Sequence, residues 1–189
     1  KQYQRYNNQL ALITKTETER AGMLRVLEQT AAKNRTGVAE TIDLYSKLRL
    51  TTQDMNVSNA QVLEVTSKFS KALALSGADA GTAAGAIRQF GQAMASGTVR
   101  GDEFNSIVEA LGPALSIMAE ESGIGVGKLR EMSQAGELTA ETFFKMIEQS
   151  TALEEKFALT AKTTEQLETE LSDVFTGYLA DSRAATAIT

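Results

Sequence analysis

Two apolar stripes of helical period meet at a glycine, and that junction constrains the fold more than any other stretch of the chain. Ala83, Ile87, Phe90 and Met94 recur at i, i+4, i+7 and i+11, and Phe104, Ile107, Val108, Leu111, Leu115 and Met118 keep the same spacing beyond it. Each set falls on one face of a helix, and neither fits the alternation of a strand. Gly97 lies between them and can take the left-handed conformation that ends a helix. The chain is therefore expected to double back here as a helical hairpin.

The same logic runs along the rest of the sequence. Residues 1–13 fit a helix through Tyr3, Tyr6, Leu10 and Ile13, although Leu10 and Leu12 also alternate as in a strand; helix is the expectation. Thr16 and Glu19 have capping-box spacing, and a helix should follow to about Lys33 with Met23, Val26, Leu27 and Thr30 on one side. After a turn at Asn34–Gly37, Val38, Ile42, Tyr45 and Leu48 mark a helix ending near Asn56. Val57, Ser58, Gln61 and Val62 combine a hydrophobic staple with a capping box, starting a helix from Ser58 to about Ser76 with Val62, Val65, Phe69, Ala72 and Leu73 inward.

The only proline, Pro113, follows Gly112 inside the second stripe, so that helix should break and restart with proline at its first position. Gly123, Gly125 and Gly127 mark another break, and Thr139 caps the helix after it. Residues 150–162 are weakly patterned and read as a flexible connection. A last helix runs from a Thr163 cap to about Ala180, with Leu167, Leu171, Val174 and Tyr178 sharing a face. The expected fold class is all-α, short antiparallel helices packed as hairpins.

Laid 39 residues apart, Gly97, Val99, Phe104, Ile107, Val108 and Glu109 fall on Gly136, Leu138, Phe143, Met146, Ile147 and Glu148. A solenoid needs three or more units, and convergent helix-turn chemistry explains one pair more economically. Gly77, Gly81 and Gly85 stand four apart, but no Gly-Lys-Ser/Thr follows as a phosphate loop requires. Their spacing instead suggests closely approaching helix backbones.

Composition narrows the chemistry. The 189 residues, 42% hydrophobic, are enough to bury about 70% of the unfolded surface in one core. With no Cys and no His there is no disulfide, thiol nucleophile, imidazole base or zinc site of the usual kind. No apolar run nears the roughly 20 residues of a membrane span. The chain begins at Lys1, not Met, and is expected to be a piece of a longer protein. Net charge is −5, with 11 Lys/Arg against 7 Asp/Glu in residues 1–71 and 8 against 17 in residues 72–189. This asymmetry could orient a partner contact, but solvated helix faces of unequal count explain it more simply.

The wording from Ala86-Ile-Arg-Gln-Phe-Gly-Gln-Ala-Met-Ala-Ser-Gly97 through Arg100-Gly-Asp-Glu-Phe-Asn-Ser-Ile-Val-Glu109 resembles the N-terminal region of phage tail tape-measure proteins. The resemblance extends over Gly125–Thr142 and, more loosely, Asn34–Tyr45, covering roughly residues 10–150. It departs at Gly125 or Gly127, where the family pattern often has Ser. It implies a helical tape-measure N-terminal domain over residues 1–150, with 151–189 a connecting segment and further helix leading onward. It also implies a structural role in tail assembly and tail length determination, in the phage tail and, during assembly, the bacterial host cytoplasm. The partners it implies are tail tube, tail-tip or baseplate proteins and a tail assembly chaperone. Self-association is a further expectation.

Two other function classes have partial signals in the sequence. Glu121-Ser122 matches the Glu-Ser pair of lytic transglycosylase sites, but the Gly-Leu-Met-Gln type sequence that accompanies it in that family is missing. Nothing suggests the apolar pocket such an acid needs, so Glu120, Glu121, Glu154 and Glu155 read as solvated. Helix-turn units hint at DNA binding, yet Arg100 is followed by Asp102 and Glu103, and Lys68 and Lys71 alone make no patch. Phe104 reads as a core anchor and Asp102 and Glu103 as favourable near a helix N-terminus. Asn105 could bond the preceding loop or face solvent. No residue is assigned a catalytic, cofactor-binding or metal-binding role, and neither nucleic acid nor membrane is an expected partner.

Overall fold

Local capping chemistry sets the helix starts in the computed structural model, which describes residues 2–160 and 164–186 and the side chains of 2–160 and 166–180. The helices are α1 (Gln2–Ala11), α2 (Glu17–Asn34), α3 (Val38–Thr51), α4 (Asn59–Ser76), α5 (Ala80–Ser96), α6 (Gly101–Leu111), α7 (Pro113–Glu121), α8 (Val126–Ala135), α9 (Ala140–Gln149), α10 (Ala152–Ala158) and α11 (Thr164–Thr186). Among the described residues there is no strand, so the fold is all-α. At α4 both capping-box bonds form: Gln61 N donates to Ser58 Oγ at 3.2 Å and Ser58 N to Gln61 Oε1 at 2.9 Å. Thr16 accepts from Glu19 N at the start of α2, and Thr139 from Thr142 N at the start of α9. Gly112 and Pro113 separate α6 from α7 with proline in the first turn, as the covalent chemistry of proline requires. The Thr163 cap expected before α11 lies outside the described residues.

Helix α4 is the centre of the body, packing against α2, α3, α6, α7, α9 and α10, while α5 lies against α3, α6 and α9. A chain of rings ties these layers together. Phe69 stacks on Phe90 with centroids 4.7 Å apart, Phe90 meets the edge of Phe143 at 5.8 Å, and Phe143 meets Phe104 at 6.4 Å. All four rings are fully buried. Each such pair adds about 0.5–1.5 kcal/mol to the burial of its area, and the chain links α4, α5, α9 and α6 in one cluster.

Several local expectations change on packing. In α2 the buried side is Leu24, Leu27, Ala31 and Asn34, with Met23 and Thr30 half-buried and Val26 exposed. The sequence holds two overlapping stripes that share Leu27, and the neighbouring α1, α3 and α4 select the one they cover. Helix α3 ends at Thr51 rather than near Asn56, because a short 3-10 turn at Gln53–Met55 and a left-handed Asn56 intervene. Gly127 lies inside α8, with Gly125 before it as the cap. No second backbone approaches Gly81 or Gly85: a methyl group at Gly85 would meet open space, and at Gly81 only the Asp79 carboxylate of its own cap. The close approach is at buried Gly91, where a methyl group would lie 3.3 Å from Lys47 Cδ. Residues 150–162, expected as a flexible connection, contain α10, whose Leu153 and Phe157 are buried against α4 and α7.

Candidate interaction surfaces

The most distinctive wording of the sequence lies in a turn, and its role there is structural. Gly97 (φ 80°) closes α5 and Gly136 (φ 72°) closes α8, both in the left-handed region. The two turns then pair with each other through an antiparallel bridge between Thr98 and Thr139. Val99 N donates to Leu138 O at 2.8 Å and Ala140 N to Gly97 O at 2.9 Å. Buried Ser133 donates its hydroxyl to Val99 O at 2.9 Å. Backbone groups that neither helix could satisfy are thus satisfied across the junction. The 39-residue correspondence, attributed from sequence to independent turn chemistry, therefore falls on two turns that bond directly.

Val99 and Leu138, each just ahead of a helix, are fully buried, as are Phe104 and Phe143 one turn inside. Those two Phe residues meet edge to face, so both staples converge on one point. Arg100 N donates to Glu103 Oε2 at 2.9 Å, and Asp102 lies exposed in the first turn of α6, both favourable against the helix dipole. Asn105 faces solvent.

The charged residues singled out from the sequence have internal partners. Glu121 at the end of α7 is exposed, as expected of a solvated acid, but it also closes the start of α10. Its carboxylate accepts from Ser150 Oγ at 2.7 Å, Thr151 Oγ1 at 2.5 Å, Thr151 N at 2.9 Å and Ala152 N at 3.2 Å. Led by the Thr151 and Ser150 hydroxyls, these donors lower its pKa from 4.5 to about 2. A carboxylate held ionised in this way is the opposite of a general acid kept protonated by an apolar pocket. The sequence carries no local sign of this clasp, because donors and acceptor are about 30 residues apart.

Glu154, also expected to be solvated, pairs with Lys71, whereas Glu120 and Glu155 are exposed as expected. Lys68 is 5% exposed, donates to Glu148 O and pairs with Glu64 at 2.9 Å. Neither lysine is presented to a phosphate backbone. Among the described residues no group of carboxylates is arranged to hold a metal ion, and no helix is long and apolar enough to cross a membrane.

Two surface features remain. A cleft of about 390 Å³ lies between α1, α2 and α11, lined by Tyr3, Tyr6, Glu28, Asp173 and Tyr178 among others. Tyr3 donates to Glu28 within it, and burial raises the Asp173 carboxyl above the ordinary aspartate range. The second feature is α11 itself. It docks on the body through polar groups: Gln166 Nε2 donates to Ala74 O at 3.1 Å, and Asp173 accepts from Val38 N at 3.1 Å in the first turn of α3. Its apolar side chains stay largely in solvent, with Val174 and Tyr178 at the cleft. Leu167, Leu171, Val174 and Tyr178, which share one face by spacing, are 50–69% exposed, and Phe175 beside them is 60% exposed. The neighbouring helices therefore leave an apolar strip of α11 largely uncovered.

A family model described as tape measure protein matches residues 1–183 of the chain. No curated protein and no solved structure matches it.

Proposed function

Because the chain belongs to the tape measure protein family, we propose that it forms a folded assembly domain of a phage tail tape-measure protein. In this reading the domain contributes to tail assembly, and hence to tail length, by engaging tail tube, tail-tip or baseplate proteins or a tail assembly chaperone. It acts in the host cytoplasm during assembly and in the tail afterwards. Its role is structural and not catalytic.

The observation that carries this reading is the shortness of the helices. Stretched as one helix, 189 residues would span about 280 Å at 1.5 Å per residue. The longest helix present, α11, has 23 residues, about 34 Å, and the others fold back on α4 and its neighbours. A chain of this size packed in this way has a radius of gyration of about 16 Å. Such a body suits an attachment or initiation role better than a ruler.

Duplication and deletion within the tape-measure gene test this. Duplicating the domain should add a few tens of ångströms to the tail at most, and deleting it should abolish or misdirect assembly. Tails that lengthen by about 280 Å on duplication and shorten uniformly by the same length on deletion would show that these residues are extended in the tube, refuting the proposal.

A further inference from the structure

The cleft between α1, α2 and α11 has a lining of one dominant charge. Of the charged residues along it, Glu28, Glu170 and Asp173 are acidic and only Arg35 is basic. The Arg35 guanidinium is engaged at α10, where it donates to Thr160 Oγ1 at 2.8 Å and lies 4.3 Å from the centroid of the Phe157 ring. Val38 N occupies Asp173 Oδ2 and the Tyr3 hydroxyl occupies Glu28 Oε1. The second oxygen of each of these carboxylates accepts no hydrogen bond from another described residue. Burial, and then the charges of Glu40 and Glu28, push the Asp173 carboxyl above its ordinary range, so the cleft favours a positive charge.

Size and lining narrow the kind of cation. A volume of about 390 Å³ falls within the roughly 300–1,000 Å³ of ligand sites. Among the described residues no three carboxylates converge closely enough to hold a metal ion, so the acidic groups are spaced for a larger, organic cation. Tyr3, Tyr6 and Tyr178 line the same walls, with the Tyr3 and Tyr6 rings 5.8 Å apart and inclined at 52°. Rings beside carboxylates suit a guanidinium, which stacks its plane on an aromatic face while its edge donates paired bonds to carboxylate oxygens; an ammonium has no such plane. Ala31, Ala32 and Val174 supply an apolar wall for an alkyl stem. Gly177 keeps the space open. It lies inside α11, where glycine weakens a helix, and without the left-handed backbone that would require it. A methyl group there would sit 3.7 Å from Tyr3 Oη, so what glycine supplies is room.

We propose that this cleft binds an arginine side chain of a partner polypeptide, with the guanidinium held by Asp173 and Glu28 and stacked on the tyrosine rings. A polypeptide is the source because a free amino acid would bring its own α-carboxylate into the same acidic cleft. The assignment stands apart from the tail reading, since it rests only on the groups that line the cleft.

The chain has no Trp, and three of its four tyrosines line the cleft while the fourth, Tyr45, is buried, so tyrosine fluorescence reports on occupancy. Titrated into the whole chain, N-acetyl-arginine amide should give a saturable change with a Kd of about 1 mM or tighter, in keeping with its about 15 non-hydrogen atoms. Its neutral isostere N-acetyl-citrulline amide should give none, and N-acetyl-lysine amide and free arginine should bind more weakly. Asp173→Asn keeps an acceptor for Val38 N but should weaken binding about tenfold. Gly177→Leu fills the cleft and should abolish binding, and both variants should keep the helical circular dichroism of the parent. A parent chain that does not respond at tens of millimolar overturns the proposal, as does equal binding of the citrulline compound or unaltered binding by both variants. Lysine amide that binds as tightly as arginine amide overturns the guanidinium, and tighter binding of free arginine overturns the polypeptide source.

Discussion

Replacing Glu121 by Gln should destabilise the domain at neutral pH and cease to matter in acid. The carboxylate receives the Ser150 and Thr151 hydroxyls and the Thr151 and Ala152 amides, the free donors at the start of α10. Glutamine keeps one acceptor oxygen but loses the charge and turns an NH₂ group toward these donors. A folded-state pKa of about 2 against an ordinary 4.5 corresponds to about 3 kcal/mol before screening. The carboxylate is exposed, and screening brings the expected loss to about 1–2 kcal/mol.

The sign follows from the lowered pKa. The stabilisation is complete above the unfolded value of 4.5 and is lost as pH falls toward about 2, where the folded carboxyl also takes up a proton. Urea unfolding of parent and Glu121→Gln at pH 7, 5, 4 and 3 measures the gap, which should be full at pH 7 and narrow progressively below pH 4.5. At pH 7 the melting temperature should fall by about 2–4 °C for each kcal/mol lost. Equal stability at pH 7, or a gap that does not change with pH, would show that the clasp contributes nothing and that Glu121 is simply a solvated acid.

Phe104→Ala should cost about 3–5 kcal/mol by chemical denaturation, and a double-mutant cycle with Phe143→Ala should give a coupling of about 0.5–1.5 kcal/mol; an unchanged Phe104 variant would place that ring on the surface. Gly97→Ala and Gly136→Ala should each cost about 1–2 kcal/mol, because both positions hold left-handed backbone in the paired turns, and a neutral result at either would mean the turn has relaxed away from its bridge. Duplex DNA should not bind at physiological salt in a fluorescence anisotropy titration, since Lys68 and Lys71 are engaged internally; submicromolar affinity with a steep salt slope would contradict this.

The helices themselves could be read from the sequence because their causes are local. Ser58 and Gln61 are three residues apart, Gly112 and Pro113 adjacent, and the stripe from Ile87 to Met94 repeats within two turns, so period and cap appear in any short window. The family resemblance lay in equally local wording around Gly97 and Arg100. Tertiary structure decided what required a second, distant segment. Residues 23–34 carry two candidate faces, and only the neighbours of α2 choose between them. The donors that make Glu121 a cap lie on the far side of α8 and α9, and the bonds between the Gly97 and Gly136 turns join two motifs that each look complete alone. The stripe on α11 is the clearest division. Spacing alone put Leu167, Leu171, Val174 and Tyr178 on one face, but periodicity is unchanged by rotating a helix about its axis. The bonds from Gln166 to Ala74 and from Val38 to Asp173 set that rotation and leave the apolar face largely exposed, with Val174 and Tyr178 at the edge of the cleft.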